Sequence, residues 1–277
     1  MREPGDRAAL LEIEGATVIF NKGQSSEIRA LNEFTLSIAD GDYVTIVGSN
    51  GAGKSTLLNM VAGNVGPESG RVRFENRDIT PLPDFRRAAF IARVFQNPLA
   101  GTSPAMSVEE NLALAFARGR RRGLRLAVTR SRRESFRHAL ERVGLHLEDK
   151  LTQMASVLSG GERQSLTVIM ATLKQPRILL LDEHTAALDP RTEREVMELT
   201  DALIRENRLT TLMVTHNLEH ALRYGNRMIM MHRGKVLIEL DQEQKATMDV
   251  HGALDLFHKQ DAMLTDATLI GAGPAER

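Results

Sequence analysis

Tyr43-Val44-Thr45-Ile46-Val47-Gly48-Ser49-Asn50-Gly51-Ala52-Gly53-Lys54-Ser55-Thr56 is the stretch whose reading decides the fold. Its first five residues are nearly all apolar and read as a strand buried on both faces. The glycine-rich run after them matches G-x-x-x-x-G-K-[ST] in full. Leu57, Leu58 and Met60 carry the chain on as a helix that ends near Gly63. Strand, loop and helix in that order wrap consecutive backbone N–H groups around a phosphate at the positive end of a helix. Lys54 then reaches the β- and γ-phosphates, and Ser55 offers its hydroxyl to Mg2+. A chance match in a chain of this composition has a probability of about 1%, so the loop reads as a nucleotide site.

A second glycine-bearing helix start follows about a hundred residues later, in Leu158-Ser159-Gly160-Gly161-Glu162-Arg163-Gln164. Ser159 with Glu162 three residues on has the spacing of an ordinary capping box. A helix N-terminus opened by two glycines is also an anion site, and the two readings coexist. One nucleotide needs only one P-loop, so the second signature points to a site completed between two copies of the chain. Next comes the apolar run Ile178-Leu179-Leu180-Leu181, ending in Asp182-Glu183. Taken alone, such a pair of acids is more often a strand end meeting solvent. Downstream of a P-loop it is read differently: the first carboxylate holds Mg2+ through its water shell and the second polarises the attacking water.

The bulk numbers narrow the field. With 277 residues and 42% hydrophobic content, the chain buries a substantial core, which excludes disorder. Lys plus Arg and Asp plus Glu each total 36, so there is no overall nucleic-acid footprint. With no cysteine there is no disulfide framework, thiol nucleophile or thiolate metal site, and a cytosolic home fits. The longest apolar stretches fall far short of the roughly 18 residues that span a bilayer. The start, Met1 to Arg7, is not followed by the apolar segment of a signal peptide.

Leu11, Ile13, Val18 and Phe20, then Phe34, Leu36 and Ile38, alternate with polar residues and predict antiparallel strands. Ile178–Leu181 and Leu212–Val214 predict further buried parallel strands with ligand groups at their C-terminal ends. Between residues 97 and 157 helical patterning takes over, most clearly at Val108–Ala117 and Ser135–Val143. After His216 a helix over Asn217–Tyr224 and strands over Met228–Met231 and Val236–Leu240 are expected, and the last dozen residues are expected to fray. The expected domains are thus a core over 1–96 and 158–240, a helical lobe over 97–157, and a short C-terminal helix with a flexible tail over 241–277.

These motifs, in this order from about Leu10 to Leu240, resemble those of ATP-binding cassette (ABC) ATPases, the nucleotide-binding subunits of transporters. They include the P-loop, Phe95-Gln96-Asn97-Pro98, Leu158 to Glu162, Asp182-Glu183, Ala187-Leu188-Asp189 and a lone His216 after a strand. The resemblance implies an α/β fold: a P-loop core with an N-terminal antiparallel β lobe and an inserted helical lobe. It implies that Gly48, Ser49, Asn50, Gly51, Ala52, Gly53, Lys54, Ser55 and Thr56 bind ATP and that Phe20 stacks on adenine. Mg2+ would be met by Ser55, Gln96 and Asp182. Glu183 would be the general base, His216 would contact the γ-phosphate, and Gln96 would contact the attacking water. Leu158, Ser159, Gly160, Gly161 and Glu162 would close over ATP held by a second copy, paired head to tail, with Asp189 across the interface.

The partners so implied are an integral membrane permease and, indirectly, a solute-binding protein, with no nucleic acid. The place implied is the cytoplasmic face of the bacterial inner membrane, peripherally. One departure is His184, where the family usually has Pro; a structural role is preferred to a catalytic one there. Arg118 to Arg133 holds eight arginines and no acid; it reads as a solvated loop, or as a contact for anionic lipid or a permease loop. Finer likeness in Asp182–Pro190, Thr211–Asn217 and Ala221–Asn226 is to ATPases of bacterial tryptophan/tyrosine-type importers. An exporter or lipid-extraction ATPase, or a non-transport ABC machine, are the alternatives.

Overall fold

The computed structural model describes residues 9–119, 127–141 and 146–259. These fall into two compact units, one built from described residues of 1–60, 65–80 and 214–277 and the other from those of 61–64 and 81–213. No helix is long and apolar enough to cross a membrane among the described residues.

The chain opens with β1 (Ala9–Phe20), β2 (Ile28–Ala39), β3 (Tyr43–Gly48), α1 (Lys54–Ala62), β4 (Ser69–Phe74) and the two-residue β5 (Arg77–Asp78). It continues with α2 (Asp84–Arg87), β6 (Ile91–Val94), α3 (Pro98–Gly101), α4 (Val108–Phe116), α5 (Arg130–Glu141), α6 (Gly160–Thr172), β7 (Ile178–Asp182), α7 (Pro190–Asn207) and β8 (Thr210–Val214). It closes with α8 (Leu218–Arg223), β9 (Arg227–His232), β10 (Lys235–Leu240) and α9 (Gln242–Thr247), followed by helix over 250–259.

In the first unit β2, β1, β4 and β5 form an antiparallel sheet in that order. The alternation read from the sequence sets its register: Leu11 faces Ile38, Ile13 faces Leu36 and Val18 faces Leu31, all buried. The same unit holds β3 beside β9 in parallel, with β10 antiparallel on β9. Every residue of β3 from Tyr43 to Val47 is buried, as a strand covered on both faces requires. Val47, Met228, Met230, Ile238 and Leu240 pack together with Ala221 of α8 and Ala253.

In the second unit β6 runs parallel to β7, Arg93 opposite Leu180 and Val94 opposite Leu181. Helices α4 and α5 pack with α6 around Val108, Leu112, Phe136, Leu140, Leu151, Leu166 and Ile169. This apolar cluster joins the helical stretch to α6, with Leu203 of α7 packed against it. Ser107 and Glu110 cap the start of α4 reciprocally. Helix α5 starts at Arg130, five residues before the position read from the sequence, and is described to Glu141. Of the arginine-rich run, residues 120–126 lie outside the described residues, as do residues 1–8 and the tail from 260.

Candidate functional site

The first unit carries the glycine-rich loop. Leaving β3, the chain turns at Gly48 and enters α1 at Lys54. Gly48 has φ 155° and Gly53 φ 97°. A Cβ on Gly48 would stand 2.3 Å from the Met231 carbonyl oxygen, and one on Gly53 2.3 Å from that of Ala30. Both positions therefore exclude any side chain, by backbone conformation and by contact. Gly51, Ser49 and Asn50 are exposed at the tip of the loop, and nothing lies within 4 Å of where a Gly51 Cβ would be.

The Lys54 ammonium folds back over the loop, donating to the Gly48 carbonyl at 2.7 Å and the Ser49 carbonyl at 3.2 Å. The residue is nonetheless buried, so its charge is held beside the anion cradle rather than spread into solvent. Ser55 is exposed, and Ala52 is locked by a bond from the Gly234 N–H to its carbonyl. Phe20, at the end of β1, is 39% exposed, an aromatic face left open to a planar ring. His216 is exposed in the turn between β8 and α8. That turn is shaped by Thr215, whose hydroxyl accepts from the Asn217 N–H, and by Asn217, which caps α8.

The second unit carries the acids and the second glycine pair. Asp182 ends β7, and its carboxylate meets the Arg93 guanidinium at 2.6 Å, both side chains almost buried. Glu183 follows in the left-handed region, φ 45°, and its carbonyl accepts from the Ala186 N–H in a tight turn. A non-glycine residue is uncommon there, and Glu183 is one of nine such residues at positive φ among the described residues. Gln96 lies exposed two residues beyond the end of β6.

His184, the departure from the family pattern, is buried, with Nε2 3.2 Å from the Thr200 hydroxyl. That hydroxyl gives its single proton to the Val196 carbonyl. It therefore accepts from His184, which fixes Nε2 as the protonated nitrogen. The imidazole ties the turn after Glu183 to α7, a structural role.

Ser159 caps α6 with Glu162 as its reciprocal partner. The Ser159 oxygen accepts from the Glu162 N–H, and the Ser159 backbone N–H donates to the Glu162 carboxylate. Partial burial acts to raise the Glu162 carboxyl, but the Lys150 ammonium at 2.5 Å and the Ser159 bonds outweigh it and hold the carboxyl below the usual range. Arg163 donates to the carbonyls of Ala155, Ser156 and Leu158 and fastens the approach to the helix.

The two glycines differ. A Cβ on Gly161 would stand 2.2 Å from the Thr192 methyl, so packing within the subunit accounts for it. On exposed Gly160 the nearest atom would be 3.7 Å away, so nothing within its own unit demands glycine. Leu158 is buried beneath the pair. Asp189 is exposed and caps α7, accepting from the N–H groups of Arg191 and Thr192; the Thr192 hydroxyl first, then these N–H groups, hold its carboxyl below the usual range.

The oxygen donors expected to meet a metal are a hydroxyl (Ser55), an amide (Gln96) and a carboxylate (Asp182). That set suits a hard cation such as Mg2+ and not a thiophilic one. The structure adds what the sequence reading lacked, namely Arg93. A lone Arg within a four-residue strand carried no signal of its own.

The ABC transporter family model matches residues 31–186. The chain belongs to that family, and its fold is the P-loop ABC ATPase fold with an N-terminal β lobe and a helical subdomain. It is an ATP-binding cassette ATPase. The chain is 43% identical over 248 residues to the tyrosine transport ATP-binding protein of Clostridioides difficile, covering 90% of this chain and 98% of the relative. It is 36% identical over 203 residues to the thiamine import ATP-binding protein ThiQ of Salmonella choleraesuis, covering 73% and 81%. Among solved structures, it is similar to the dimeric post-hydrolysis state of the ATP-binding cassette MJ0796 bound to ADP and Pi. The TM-score is 0.71 and the identity 30%, with 84% of this chain and 98% of that one covered. Its relatives thus serve several importers rather than a tyrosine system alone.

Proposed function

We propose that the chain is the ATPase subunit of a bacterial importer for amino acids or similarly small solutes, with aromatic amino acids the first expectation. The observation that carries this is the 43% identity to a tyrosine transport ATP-binding protein across nearly the whole of both chains. Two copies pair head to tail, a reading supported by the dimeric solved relative and by Gly160, whose bare Cα its own unit does not explain. The dimer sits at the cytoplasmic face of the inner membrane, bound to a permease that receives solute from a binding protein. In the same proposal the chain divides into an ATPase core over 1–96 and 158–240, a helical lobe over 97–157 and a C-terminal segment over 241–277. The apolar packing of α4 and α5 on each other supports the lobe, and it continues into α6 of the core. A groove of about 260 Å³ next to Gln96, lined by Arg93, Phe95, Leu114, Arg118, Thr167 and Met170, is the surface offered to the permease.

In this reading the loop from Gly48 to Thr56 grips the phosphates through backbone N–H groups, Lys54 neutralises charge on the β- and γ-phosphates, and Phe20 stacks on adenine. Mg2+, met by Ser55, Gln96 and Asp182, would offset negative charge on the phosphate oxygens. Glu183 takes the proton of the attacking water as its oxygen bonds to the γ-phosphorus. ADP leaves with the electrons of the broken P–O bond, yielding ADP and phosphate. His216 and Gln96 orient that water. From the second copy, Ser159 turns its hydroxyl to hydrogen-bond a γ-phosphate oxygen while keeping its proton, Gly160 and Gly161 approach with their backbone, and Leu158, Glu162 and Asp189 hold the clamp and the interface.

The cargo is tested on the purified solute-binding protein encoded beside this chain, by native mass spectrometry and calorimetry. A small amino acid is the expected ligand. A lipid, a metal ion or a large peptide bound tightly there would refute the cargo and leave the ATPase in place.

A further inference from the structure

Arg93 and Asp182 are brought together by strand register. Arg93 on β6 stands opposite Leu180 on the parallel β7, and Asp182 lies two residues further along the same face, within reach of a long side chain. The guanidinium Nη2 donates to Asp182 Oδ2 at 2.6 Å, with the two side chains only 12% and 13% exposed. Its carbon sits 4.8 Å over the Phe95 ring, which fixes the plane from which it reaches the carboxylate. An arginine does not shed its charge at any working pH, so this pairing is not released by titration.

We propose that Arg93 is a latch on Asp182, a positioning residue that competes with the divalent cation for that carboxylate and sets how tightly the metal is held. The proposal rests on the reading of Asp182 as a metal-facing group. With Arg93 in place, a cation arriving at Asp182 meets a fixed positive charge in a poorly solvated setting and must share the carboxylate or displace the guanidinium. Metal occupancy is thereby kept weaker than the carboxylate alone would give.

The test is an electron paramagnetic resonance titration of Mn2+, standing in for Mg2+, into the purified protein saturated with ADP. Wild type, Arg93→Met, Arg93→Lys and Asp182→Asn are compared. Arg93→Met is expected to bind Mn2+ roughly tenfold more tightly than wild type, and Arg93→Lys, which keeps the charge, to stay within about threefold of wild type. The melting temperature gives a second readout that does not depend on turnover. Without metal Arg93→Met melts lower than wild type, and Mn2+ raises its melting temperature by more than it raises that of wild type. Equal or weaker Mn2+ binding by Arg93→Met, while Asp182→Asn loses binding, overturns the latch alone. Undiminished binding by Asp182→Asn overturns the metal assignment, and the latch with it.

Discussion

Glu183 is held at φ 45° with both chain neighbours pinned: Asp182 by Arg93, and His184 by its bond to Thr200. The turn cannot relax without breaking one of those contacts, so a substitution at 183 inherits the left-handed backbone. Glu183→Ala and Glu183→Gly both delete the carboxylate and every interaction of the side chain, and differ by one methyl group. An L-residue in this region costs about 1–2 kcal/mol. Glycine avoids that cost but loses about 0.5–1 kcal/mol more backbone entropy on folding. The difference runs from about 0 to about 1.5 kcal/mol and centres at ~0.75 kcal/mol in favour of Glu183→Gly, the reverse of the order at an ordinary position. Equilibrium urea unfolding followed by circular dichroism measures it, since the chain has no tryptophan to report by fluorescence. The glycine variant should unfold at the higher midpoint with the same slope. Both variants should hydrolyse ATP at least ~100-fold more slowly than wild type. An alanine variant as stable as the glycine variant, or more so, would refute the claim that backbone strain is stored at this residue.

Glu183→Gln keeps the metal-facing Asp182 and both phosphate clamps, so it should bind ATP, pair and stall; turnover within a few-fold of wild type would remove Glu183 as the base. Ser159→Arg puts a bulky cation at the exposed start of α6. It should spare ATP binding but abolish ATP-dependent pairing, read by size-exclusion chromatography with light scattering; normal pairing would sink the shared-site reading. Lys245 is buried with its ammonium against the carbonyls of Tyr224 and Gly225, and burial pushes its pKa down to about 8 from 10.5. Between those values the unfolded chain binds the extra proton, so the Lys245 contribution to stability rises with pH across that window, with the full penalty present below it. Lys245→Met should lack this increment, and unfolding midpoints of the two proteins that move in parallel from pH 8 to 10.5 would contradict it.

Periodicity and loop chemistry are local, so the sequence by itself settled β1 to β3, the turn into α1, β7 to β10 and the capped start of α6. In each case the apolar spacing or the glycine pattern admits one conformation. It also named nearly every residue of the candidate site, because the phosphate loop and the acids at a strand end carry their chemistry in residue type and order. It did not mark β6, where Arg93 interrupts an apolar run of only four residues, nor the left-handed turn at Glu183. A charged side chain inside a strand is tolerated there because Asp182, 89 residues away, neutralises it. His184 was ambiguous for the same reason, since an imidazole is catalytic or structural according to its surroundings, and Thr200 makes it structural. The local pattern can state which chemistry a side chain brings; only tertiary structure decides which charge it meets, because a buried ion pair depends on partners brought together by folding.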